Sequence, residues 1–141
     1  MSTPKEEINE LLQVARGMSE SMLQEAEGFQ PFGLMITSSG ELKVVAPNEG
    51  LRDTAASTLV SMLENDFREE GTRGLSRASA IVYEIRGRFD EEGAESDAIA
   101  VAADHRDTYS VIVYFPYTRS GEGIAFGTAV VFKGKDAIFA R

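Results

Sequence analysis

The sequence predicts an α+β domain with elements in the order α-β-β-α-β-β-β, one further short strand at the end, a mostly antiparallel sheet and two helices on one face. Two stretches repeat apolar residues at spacings of three and four, as one helix face does. The remaining apolar stretches are dense in β-branched and aromatic residues. Strands also follow strands across short polar turns, which argues for hairpins rather than parallel crossovers. At 141 residues the chain fits a single domain, 1–141, large enough to bury roughly two thirds of its unfolded surface without disulfides. No internal repeat, linker or low-complexity tract divides it.

The first helix starts at a capping box. Thr3, Pro4 and Glu6 supply a hydroxyl N-cap, a helix-compatible first residue and a carboxylate reaching back from the third position. Ile8, Leu11, Leu12, Ala15, Met18 and Met22 mark one buried stripe, and Gly28 stands where a stop is expected. In "PFGLMITSSGELKVVAP" two apolar runs flank Ser38-Ser39-Gly40-Glu41, a hairpin turn, with Pro31 and Pro47 bounding the pair. Phe29 and Phe32 bracket Pro31, and aromatics around a proline at such a joint fix the chain's direction by packing, so Phe32 is expected in the core. Asn48 or Asp53 caps a second helix with an apolar face of Leu51, Ala55, Leu59, Met62, Leu63 and Phe67, ending at Gly71. "GTRGLSR" is a loop. "ASAIVYEIRGRF", "AIAVAAD", "TYSVIVYFPY" and "IAFGTAVVF" are strands, "DEEGAESD" is an acidic connection, and "AIFA" after "KGKD" is a short terminal piece.

Composition excludes several function classes. There are 14 Lys+Arg against 23 Asp+Glu, a net charge of −9 and a pI of about 4.6. That field repels phosphate backbones and anionic lipid, so neither nucleic acid nor membrane is expected as a partner. The absence of cysteine removes disulfide frameworks, thiolate nucleophiles and cysteine metal sites, and fits a reducing compartment. "MSTPKEEINE" has neither a basic leader nor an apolar core, and no apolar run approaches a membrane span. The expected location is cytoplasmic, with no cofactor.

The only histidine, His105, lies in "DHRD" between two predicted strands. Asp supplies local turn hydrogen bonds there and charged groups stay solvated, so the expectation is an exposed hairpin tip with no catalytic role. The alternative is a hydrolase or small-ligand enzyme using Asp104, His105 and Asp107, with Arg106 or Arg119 holding an anion. A serine triad would have to draw on distant Ser76 or Ser79, and no G-x-S-x-G elbow is present. One imidazole with two local carboxylates is too little for a metal site, and none is expected. "GEGIAFG" leads into a strand and lacks the spacing of a dinucleotide loop, while "FDEEGAESD" misplaces the glycine and the final glutamate of a calcium loop. The Met18, Met22, Met35 and Met62 set reads as core filler.

"VIVYFPYTRSGEG" stands out for carrying large apolar groups on both faces. Tyr109, Val111, Val113 and Phe115 form one row, and Ile112 and Tyr114 stand on the other. Helices on one side of the sheet leave one row uncovered, so either the sheet curls on itself and buries this strand, or a binding surface of Tyr109, Ile112, Tyr114, Tyr117 and Arg119 is covered by a second copy or a protein partner. Pro116 is expected to end the ladder, leaving Arg119 in a polar loop.

"EGFQPFGLMITSSGEL", "SDAIAVAADHRD" and "FPYT" together resemble a family of small uncharacterised bacterial proteins in which an aromatic-x-Pro-Phe-Gly entry to the first hairpin recurs. The resemblance spans residues 28–118 and implies no assigned activity. The element order is also similar to roadblock-type and secretion-chaperone-type domains, interaction modules that commonly dimerise, though no C-terminal helix is predicted here. The expected function is a non-catalytic bacterial binding or interaction protein of chaperone, immunity or regulatory type, as a homodimer or with a protein partner.

Overall fold

The computed structural model describes residues 3–46, 53–89, 95–121, 123–136 and 138–139. Helix α1 (Pro4–Glu25) begins at its capping box. Thr3 Oγ1 accepts from the Glu6 N–H at 3.1 Å and donates to the Glu6 carboxylate at 3.2 Å. Strands β1 (Phe32–Thr37) and β2 (Leu42–Val45) form the first hairpin, α2 (Ala56–Thr72) follows, and β3 (Ser76–Gly87), β4 (Ser96–His105), β5 (Tyr109–Ser120), β6 (Gly123–Phe126) and β7 (Val130–Lys133) complete the chain. All pairings are antiparallel in the order β2-β1-β3-β4-β5-β6, with β7 beside β6 along β5. Pro47, Asn48 and Leu51 lie outside the described residues, as does most of the acidic connection after Phe89. Asp53 does not cap α2, whose N-cap is Ala55 with no side-chain bond.

The element order is as expected; the helix placement is not. Alternate residues of a strand point to opposite faces. Phe32, Leu34 and Ile36 of β1 pack with Ile8, Leu11 and Leu23 of α1, while Met35 packs with Leu63 and Phe67 of α2. The helices therefore cover opposite faces. Every residue of β1 is buried, and a strand apolar on both sides needs cover on both. Gly33 serves the second contact: a Cβ there would run into the Phe67 ring, so glycine lets α2 close on the sheet. Met62, expected on the buried face, is 40% exposed.

The C-terminal third also departs from expectation. Pro116 does not end the ladder, because β5 runs on to Ser120. Its carbonyl accepts from Gly127 N–H at 2.8 Å, so its nitrogen faces the gap between β6 and β7, where no ladder bond is lost. Tyr117 pairs with Phe126 but Tyr114 with Val130, so three residues of one strand oppose two of the other. This one-residue bulge splits "IAFGTAVVF" into β6 and β7 and reverses its facing. Phe126 accordingly packs on the α1 side, with the Arg16 guanidinium 4.6 Å from its ring centre. Of "AIFA", the described residues Ile138 and Phe139 are not in a strand and are buried against α2 instead.

Phe32, 3% exposed, lies in the α1-side core with its ring centre 5.7 Å from that of Phe29. Phe32→Ala is expected to cost about 3 kcal/mol in denaturant unfolding. A loss below about 1 kcal/mol, the scale of ordinary surface changes, would show that the ring contributes little to the core.

Candidate functional site

His105 is not at a loop tip. It is the last residue of β4, 1% exposed, and the turn proper is residues 106–108, with Thr108 at φ 67°. Asp107 N–H donates to Nδ1 at 3.0 Å, so that nitrogen carries no proton and Nε2–H is the donor to Glu7 Oε1, 2.9 Å away. The other Glu7 oxygen takes Arg77 Nη1 at 3.1 Å, and Arg77 Nη2 reaches the Ser38 carbonyl at 2.8 Å. This network ties the first turn of α1 to β3 and β4. Its expected solvation at a turn fails because the alternation along β4 points residue 105 inward with Ala103 and Val101.

The same alternation separates the alternative catalytic set. Asp104 faces the α2 side, where Ser110 Oγ donates to it at 2.6 Å, and Asp107 is exposed in the turn. Asp104 and Ser110 line a small cavity of about 60 Å³ with Glu64, Tyr83 and Lys135. Asp136 N–H donates to Ser110 Oγ at 3.1 Å and Gly134 N–H to the Ser110 carbonyl at 3.0 Å, so this polar group anchors the C-terminal segment over α2's core. Burial, with Tyr114 and Glu64 nearby, raises the Tyr83 phenol above its ordinary range. Ser76 and Ser79 are buried, and neither is hydrogen-bonded to His105. Among the described residues no three His, Asp or Glu converge on a metal position, and no helix is long and apolar enough to cross a membrane.

The five expected binding residues do not share a surface. Tyr109 packs on the α1-side core and Tyr117 is 5% exposed within it. Arg119 is no loop residue holding an anion: its guanidinium donates to the carbonyls of Leu23, Ala26 and Glu27 at 2.7, 3.1 and 2.7 Å. It thereby ties down the end of α1, where the last carbonyls lack helical partners. Ile112 and Tyr114 alone face the α2 side.

Tyr117 donates to Glu84 Oε1 at 3.2 Å, and Glu84 Oε2 accepts the Phe29 N–H at 3.1 Å. Burial, then the Glu84 carboxylate, pushes the Tyr117 phenol from 10.0 up to about 12. Because the fold favours the neutral phenol, its contribution is full below the unfolded value near 10 and disappears as pH rises through about 12. Stability is therefore expected to fall across that window, and Tyr117→Phe should flatten the fall in alkaline denaturation curves. Identical slopes in both proteins would refute the assignment.

Among the described residues the most exposed large apolar side chains lie elsewhere, at the β7 edge of the sheet. Val131 and Phe132 of β7 are 61% and 55% exposed. Phe132 stands edge-on to Tyr114 at 5.7 Å, and Tyr114 contacts Phe89 at 5.3 Å. These rings, with Ile85, Gly87 and Arg88, line an open cleft of about 400 Å³. Tyr114 was legible as a candidate from the two-sided pattern of its strand. Phe89, Val131 and Phe132 were not, because the bulge that turns Phe132 to this face leaves no mark in the hydrophobic pattern. No family model, no curated protein and no solved structure matches this chain.

Proposed function

We propose that this chain is a non-catalytic interaction domain whose contact surface is the β7 edge with the adjoining Phe89, Tyr114 and Phe132 cleft. The reading rests on a contrast in exposure. The sole imidazole is enclosed by Glu7 and the Asp107 N–H, while Val131 and Phe132 stand in water at a sheet edge. Exposed apolar edges of this kind are usually blunted or occupied. The absence of cysteine and the resemblances drawn from the sequence support a bacterial cytoplasmic setting and a chaperone, immunity or regulatory role.

A photo-crosslinking residue placed at 132, and for control at the exposed position 10 on α1, tests this in an extract of the source cells. The expected result is a single adduct, with a second copy or another protein, at 132 alone, abolished by Val131→Asp. Equal labelling at both positions, or none at 132, would overturn it.

A further inference from the structure

His105 ends β4 with its ring between two different surroundings. Nε2 points inward to Glu7 of α1, and Nδ1 points at the exposed turn 106–108, where it accepts the Asp107 N–H. Both nitrogens of the neutral ring are thus satisfied. The imidazolium does not fit the same frame, because a proton on Nδ1 would face the Asp107 N–H, donor against donor.

The turn itself carries an acceptor for such a proton. Asp107 Oδ2 lies 3.9 Å from Nδ1 on a side chain that is 65% exposed, so rotation of that side chain brings its carboxylate onto the ring. The turn is also strained. Three residues join His105 to Tyr109, its pairing partner on β5, and in loops of this length the last residue takes the left-handed conformation that glycine adopts most easily. Thr108 holds that position at φ 67°. A β-branched residue stays there only while its surroundings enforce it. The Asp107 N–H bond to Nδ1 is one restraint, and the bond from Arg106 N–H to the Arg77 carbonyl at 3.0 Å is another.

The charges around the ring pull both ways. Glu7 from α1 and Asp107 from the turn favour a cation. Arg77 from β3, which shares the Glu7 carboxylate, opposes it, as do burial and the positive end of α1. Tyr109 is the titratable neighbour on β5, Arg106 is exposed in the turn, and Asp104 faces the opposite side of the sheet.

Independently of the β7 surface, we propose that His105 is an acid-operated switch for its own turn. A proton taken from solvent onto Nδ1 displaces the Asp107 N–H, the Asp107 carboxylate swings in to accept the new N–H, and Thr108 leaves its strained conformation. With Asp107 drawn in, the turn exchanges a balanced pair of exposed charges for Arg106 alone.

The test is an NMR titration of the full isotope-labelled chain from about pH 8 to about pH 5, the interval in which imidazoles ordinarily change charge. The Asp107 and Thr108 amides are expected to shift with the same midpoint as the His105 ring nitrogens. Protection of the Asp107 amide from hydrogen exchange should fall about tenfold, the scale of one lost hydrogen bond, while carbon shifts of Thr108 move away from the left-handed region. His105→Gln, which keeps a side-chain donor for Glu7 but does not titrate, should abolish these changes. Asp107→Ala, made on an exposed side chain, should leave the neutral ring as it is and move its protonation to lower pH. The proposal is overturned if the ring gains its proton while the Asp107 amide keeps its shift and protection, or if the ring stays neutral down to acid unfolding. The same turn transition in a folded His105→Gln, or an unchanged midpoint in Asp107→Ala, would equally overturn it. Should His105→Gln not fold, the Asp107→Ala comparison decides alone.

Discussion

His105→Ala is expected to cost about 3 kcal/mol, because leaving a buried polar group without its partner costs about 1 to 3 kcal/mol and more when that group is a carboxylate. The substitution deletes the donor to Glu7 Oε1 and the acceptor for the Asp107 N–H, leaving a carboxylate and an amide short of partners where water has little access. Arg77 still holds the second Glu7 oxygen, so Glu7→Ala in the His105→Ala background should cost much less than Glu7→Ala alone. Chemical denaturation of the four proteins of this cycle gives the coupling. Additive losses would show that the two side chains stabilise the fold independently, and a loss near 0.5 kcal/mol for His105→Ala would return the imidazole to the status of a surface group.

Phe67→Ala should cost at least as much, about 3 to 5 kcal/mol. Among α2's residues only Leu59, Leu63 and Phe67 are buried, and Phe67 makes the closest approach to β1 where that strand has no side chain, at Gly33, with Leu63 beside it. The wild-type site cannot accept more volume, so Gly33→Val alone is expected to destabilise through overpacking by about 1 to 3 kcal/mol. In the Phe67→Ala background the sign should reverse, because valine then fills space the ring has left and suits a strand better than glycine does. Thermal unfolding of the two single variants and the double variant checks this. A double variant less stable than Phe67→Ala would mean that α2 is held away from β1 by something other than this ring.

Where periodicity is long and its breaks are chemically marked, the sequence was readable. Thr3, Pro4 and Glu6 announce α1, and Ser39-Gly40 announces the first hairpin. What failed were features that local pattern does not encode. The FGLMIT run of β1 is buried on both faces, which is a signal for cover on both sides, yet the two helices look alike from their own stripes and neither states its face. One inserted residue among Gly127, Thr128 and Ala129 decides which way Phe132 points, and nothing in composition distinguishes that bulge from continuous strand. His105 looks polar and turn-like among Asp104, Arg106 and Asp107. Its burial depends on Glu7, a residue that reads as ordinary first-turn acid until the fold brings α1 across β4. For the candidate site, Tyr114 was accessible to reasoning from alternation, whereas its neighbours Phe89 and Phe132 come from separate segments that only the sheet unites.

The reach from Glu7 to His105, 98 residues along the chain, bears on how the protein is made. Synthesis at about 5 to 20 residues per second puts roughly 5 to 20 seconds between the appearance of α1 and that of the strand end that receives it. The hairpins of β3, β4 and β5 close locally and need no such wait, since hairpins form in about 1 to 10 microseconds. During the interval Ile8, Leu11, Ala15 and Leu23, all fully buried in the finished fold, lie on a nascent helix whose cover is incomplete until β4 has emerged. That early stripe, rather than any strand edge of the folded molecule, is the surface a ribosome-associated holding factor would meet first.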